Sequence, residues 1–108
     1  MEEDIIYKVT AVFGEQFICV LQGNMVMVSQ LNGKFKDCAL VKIGVNLDPK
    51  WLEEKIKEIP IVTSRNFLNL RLGEQLYVYD NHMKKILVTN PISRIEIKSH
   101  SGFELVKG

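Results

Sequence analysis

The chain has 108 residues, 46% of them hydrophobic and 25% charged, with two Cys and a formal net charge of +1. That is the composition and length of one globular domain, long enough to bury a core without metal or disulfide staples. So small a charge speaks against a polybasic nucleic-acid binder and against an acidic mimic, because either needs a strong field of one sign.

The charge is not spread evenly. Residues 1 to 47 sum to −1, residues 48 to 60 to −1 and residues 61 to 108 to +3, and all three arginines (Arg65, Arg71, Arg94) lie in the last region. The opening MEEDIIYK carries acids where a secretory signal carries basic residues. No apolar run approaches the ~20 residues that cross a bilayer. The expected compartment is therefore the cytoplasm, with no membrane association. Cys19 in FICVL and Cys38 in DCALV stand where small buried thiols belong, and are expected free rather than bridged.

Residues 4 to 43 read as a four-stranded meander. In DIIYKVTAVF the residues Ile5, Tyr7, Val9, Ala11 and Phe13 alternate with Lys8 and Thr10, the period of a half-buried strand. Gly14-Glu15 interrupts, and QFICVLQ follows as a strand covered on both sides. Gly23-Asn24 and Asn32-Gly33, both suited to positive φ, bracket MVMVSQL.

At DPKWLEEKIKEI, residues 48 to 59, the period becomes helical. Asp48 suits the N-cap, Pro49 the first turn, and Leu47 can staple to Leu52 across the cap. Leu52, Ile56 and Ile59 form an apolar stripe, Glu53 and Lys57 are spaced to pair on the wet side, and Pro60 stops the helix.

A second meander is expected over residues 61 to 106. SRNFLNLRL and QLYVYD are read as strands about a Gly73-Glu74 turn, with Leu70 opposite Tyr77 and Leu68 opposite Tyr79. Next, Tyr79 pairs with Ile86 and Tyr77 with Val88. That leaves Asn81 to Lys84 as a hairpin loop in which Asp80 and Asn81 serve as turn formers and His82 stands at an exposed tip. Gly14-Glu15-Gln16 recurs as Gly73-Glu74-Gln75, which raises an internal duplication around the helix.

The expected fold is thus mainly β (α+β), a single domain over residues 1 to 108. Two antiparallel β-meanders form a small sandwich or partly open barrel, with one α-helix at about 48 to 59 between them.

No polar constellation points to chemistry. Metal motifs such as CxxC, HxxxH and HExxH are missing, as are a glycine-rich phosphate loop and a GxSxG context for His100 in SHSG. The chain is therefore expected to be non-enzymatic, with no cofactor, and to act as a protein-interaction or assembly module with a protein partner or by self-association. The candidate interface is Trp51 with Lys55 on the helix flank, and Met25 and Met27, which leave both faces of their strand apolar. A first alternative is a single-stranded nucleic-acid binder in which Phe67, Tyr77 and Tyr79 stack on bases while Arg65, Arg71, Lys84, Lys85 and Arg94 meet phosphates. A second is a small hydrolase or metal-binding protein built on His82 or His100.

Overall fold

The computed structural model describes residues 4–23, 25–30, 33–43, 48–59 and 61–108. Among these, eight strands form one antiparallel sheet: β1 (Ile5–Ala11), β2 (Gln16–Gln22), β3 (Met25–Gln30), β4 (Lys36–Ile43), β5 (Ile61–Val62), β6 (Gln75–Asp80), β7 (Lys85–Ser99) and β8 (Gly102–Lys107). The helix α1 (Pro49–Lys55) joins β4 to β5. The strand order is β1-β2-β3-β4-β6-β7, and β1 pairs back onto β7, so six strands close a ring while β8 extends β7 and β5 extends β4. The mainly β architecture read from the sequence is present, in its barrel form.

One strand makes the closure. β7 runs fifteen residues; its first part pairs with β6, and its second part with β1 on one side and β8 on the other. The change of partner falls around Pro91, where the registers against both β6 and β1 slip. Proline cannot donate to a ladder and bulges bend strands, so the corner of the barrel sits where the sequence cannot continue a flat pairing. The Pro91 carbonyl still serves, accepting from Val12 N–H at 2.9 Å.

The β6–β7 hairpin matches the sequence reading: Tyr77 faces Val88, Tyr79 faces Ile86, and residues 81–84 form the loop. β6 is buried on both faces. Leu76 and Val78 enter the barrel core with Val9, Leu40 and Ile95, whereas Tyr77 packs with Val41, Leu52 and Ile86 under the helix.

The helix is shorter than its stripe suggests. Asp48 caps it, accepting from Lys50 N–H at 3.0 Å, and α1 ends at Lys55, after which Ile56–Glu58 tighten into a 3-10 turn. Leu52 is fully buried, with Ile56 and Ile59 against the same cluster. Glu53 does not pair with Lys57 as expected; its carboxylate is taken by a backbone amide of β7. Asn24, Asn32, Leu47 and Pro60, given turn, staple and stop roles above, lie outside the described residues.

The clearest departure is at SRNFLNLRL. Residues 64–66 form a turn and Phe67–Asn69 a 3-10 turn, so Leu68 and Leu70 do not pair with the tyrosines, and Leu68 and Leu72 are exposed. Phe67 and Leu70, three apart, point together into the barrel core. Asn66 fixes the turn, accepting from Thr63 N–H at 2.7 Å and donating to the Ile61 carbonyl at 3.2 Å. The Lys107 ammonium then donates to the carbonyls of Leu68 and Leu70, both at 2.6 Å, pinning this plug to the end of β8.

Candidate functional site: the outer face of three strands

Strand pairing decides which side chains share a surface, because directly opposed residues lie on one face. Tyr7, Cys19 and Val28 are opposed across β1, β2 and β3, and all three are buried in the barrel. The next row must therefore point outward. It is Ile6 opposite Val20 and Val20 opposite Met27, three apolar side chains in line across three strands. Ile18 flanks the row, and Met25, 65% exposed, stands at its end opposite Gln22. The helix, which could have covered such a face, is docked on the other side of the molecule through Leu52.

Charged groups border this strip and are largely neutralised by one another. The Lys8 ammonium lies 3.8 Å from Glu96 Oε1 and 4.5 Å from the centre of the Phe103 ring, and Arg94 Nε lies 3.2 Å from the same Glu96 oxygen. Beyond this belt Phe103 and Leu105 of β8 continue the face. An apolar strip edged by paired charges is the anatomy of a docking surface, since the centre desolvates cheaply and the rim stays wet.

The candidate residues named from sequence divide between different surfaces. Met25 and Met27 belong to the outer strip. Trp51, 47% exposed, and Lys55, 3.8 Å from Glu58, are on α1, which packs over β4, β6 and the start of β7. They do not form one interface with the methionines. Ile6, Ile18 and Val20 were not singled out from sequence, because alternation within a strand marks two faces without saying which of them another element covers.

The nucleic-acid set is dispersed. Phe67 is fully buried and stacked on Tyr7, with centroids 4.1 Å apart, so its ring is closed to bases. Tyr77 is buried too. Arg65 and Arg71 precede β6 and Lys84 and Lys85 follow it, which separates them by the length of that strand, roughly 20 Å. Arg94 is held by Glu96.

The two histidines stand at opposite ends of β7, His82 in the hairpin loop before it and His100 in the turn after it, both exposed. No group of three or more His, Cys, Asp or Glu able to hold a metal ion occurs among the described residues. Asp80 acts as the turn former expected: its Oδ1 accepts from His82 N–H at 2.9 Å and Met83 N–H at 3.1 Å. The bond from Met83 is the main reason its carboxyl ionises below the usual range, and the Lys36 ammonium at 3.8 Å adds to the effect. Cys19 and Cys38 are free and buried, and burial pushes their thiols up to about 12 and about 11. A thiol so reluctant to ionise is a poor nucleophile.

The repeated Gly-Glu-Gln occupies two unlike settings. Gly14 and Gly73 share φ near +90°. The first sits in the β1–β2 turn, where the Glu15 carbonyl accepts from Ala11 N–H; the second follows the plug, where the Glu74 carbonyl accepts from Ile92 N–H.

A small, partly closed antiparallel β-barrel with one docked helix is the class that these features define. No family model matches the chain, and no curated protein or solved structure matches it. Among the described residues, no helix is long and apolar enough to cross a membrane.

Proposed function

We propose that the protein is a non-enzymatic interaction module that packs another protein surface, a second copy of itself first of all, against the outer face of β1, β2 and β3. The observation that carries this reading is the alignment of Ile6, Val20 and Met27, each half-buried, across three strands on the outward face, with exposed Met25 at its end and the helix packed elsewhere. Covering such a strip gains roughly 25 cal/mol per Å² of apolar surface removed from water. The flanking charges already satisfy one another, so two copies meet without like-charge repulsion.

Size-exclusion chromatography with light scattering tests it. The wild type should self-associate at micromolar concentration in a manner insensitive to salt, and Val20→Lys, an outward-facing change, should yield monomers with unaltered circular dichroism. A wild type that stays monomeric, with a partner captured equally well by both forms, would contradict the proposal.

A further inference from the structure

The barrel is not sealed all round. Among the described residues β3 and β4 are joined by two residue pairs, Met27 with Asp37 and Val28 with Lys36, whereas β2 and β3 share six. β4 begins at Lys36, so beyond its pair with Val28 the ladder ends, and a cavity of about 490 Å³ opens there, beside Ser29, Gln30, Gly33 and Lys34. That volume lies in the range of small-molecule sites, roughly 300–1,000 Å³.

Leu87 shows that this opening belongs to the barrel interior. It is opposed to Val78 on β6, whose side chain is in the core, yet Leu87 is 48% exposed. Phe17 faces it from β2, only partly buried, with Val28 and Cys38 deeper in the wall. An inward-facing leucine left half in water is apolar surface that the chain itself does not cover.

The rim is cationic. Lys34 and Lys36 both line the cavity, with no Asp or Glu among the described residues that line it. Lys36 is steadied by Asp80 at 3.8 Å while its own side chain remains 53% exposed, and Asp80 is buried behind it, occupied by two backbone amides. Lys34 has no ion-pair partner among the described residues. The edge near Lys34 is fastened by Ser29, whose hydroxyl is 2.6 Å from the Gln30 carbonyl and 3.2 Å from that of Gly33.

We propose that this mouth is a binding site for an apolar molecule ending in a carboxylate, its tail against Phe17, Val78 and Leu87 and its head at Lys34 and Lys36. The apolar wall supplies the affinity and the two ammonium groups fix the orientation. The site is separate from the outer face of β1–β3, and neither proposal depends on the other.

Decanoate is the probe, titrated calorimetrically below its aggregation concentration, with decanol as the uncharged control. One saturable site is expected on the wild type, binding decanoate more tightly than decanol. Lys34→Glu should weaken decanoate at least about tenfold and leave decanol unchanged. Leu87→Trp, which fills the mouth, should abolish binding of both. If Leu87→Trp does not fold, amide shifts on the wild type take its place, and those caused by decanoate should centre on Val28, Cys38 and Leu87. Vesicles of an anionic phospholipid separate a free ligand from a lipid surface: they should not sediment the protein. Absence of saturable binding, binding indifferent to both substitutions, shifts centred elsewhere, or capture by vesicles without decanoate binding would each overturn the proposal.

Discussion

The backbone N–H of Ile86 donates to Oε1 of Glu53 across 3.0 Å, so the helix is tied to the opening of β7 by a carboxylate as well as by packing. Leu52, next to Glu53 in the chain, is buried against Ile86. The two contacts fix the helix in both depth and register. Truncating Glu53 strands the partly buried amide, and a lost hydrogen bond to a charged acceptor costs about 1.5–3 kcal/mol. Urea unfolding should show that loss for Glu53→Ala, and a clearly smaller one for Glu53→Gln, which keeps an acceptor at the same reach.

Phe67 is at once a fully buried part of the plug and half of an aromatic stack with Tyr7, 14° from parallel. Its removal opens a cavity in the barrel core. Phe67→Ala should cost about 3–5 kcal/mol in thermal or urea unfolding, and Phe67→Leu clearly less. A base-stacking role predicts the reverse: little change in stability and a loss of binding to single strands.

Lys84 closes the β6–β7 loop with φ +57°, the only non-glycine residue described in that region. Its N–H reaches the Asp80 carbonyl at 2.8 Å, so the loop holds it there despite the Cβ strain of roughly 1–2 kcal/mol. Glycine relieves the strain while adding entropy to the unfolded chain. Lys84→Gly should therefore raise stability by about 0.5–1 kcal/mol, read as an upward shift of the urea midpoint without a change of slope.

The buried thiols set an alkaline limit. In the folded protein Cys38 ionises at about 11 and Cys19 at about 12, both above the ordinary value of 9.0, chiefly through desolvation. Below 9.0 neither state has lost these protons, and the contribution to stability is complete. As pH rises through the window from 9.0 to about 11–12, the unfolded chain releases them first, and stability falls. Tyr7, raised by burial as well, acts in the same direction. Urea midpoints measured at about pH 8 and about pH 10 should therefore drop for the wild type, and drop less when both cysteines are alanine.

Local pattern made part of this fold legible. Tyr77, Tyr79, Ile86 and Val88 carry a two-residue period up to an Asp-Asn turn, which leaves one register that keeps the apolar faces together, and that register is the one formed. In LNLRL the same alternation misleads. Phe67 and Leu70 are three apart, the spacing of a 3-10 turn, and burial of those two outweighs the pairing that Leu68 and Leu72 would have gained.

The outer strip illustrates what one strand cannot disclose. Met25 and Met27 stood out because both faces of their strand are apolar, but Ile6 and Val20 enter the strip only through pairings across two hairpins. Trp51 and the methionines look alike as exposed apolar anchors in the sequence; the barrel puts the methionines on β3 and Trp51 on a helix packed over β4, β6 and β7. The cavity at Leu87 has no sequence signal at all, since it forms where the β3–β4 ladder ends at the pair of Val28 with Lys36.

Sedimentation equilibrium of the wild type beside the double variant Val20→Lys, Met27→Lys bears most directly on the central claim that the outer face of β1, β2 and β3 is a surface for another protein. A dimer for the wild type, equally firm at low and high salt, and a folded monomer for the variant are the predicted results. Identical association of the two proteins, or a wild-type dimer that dissolves as salt is raised, would contradict the account.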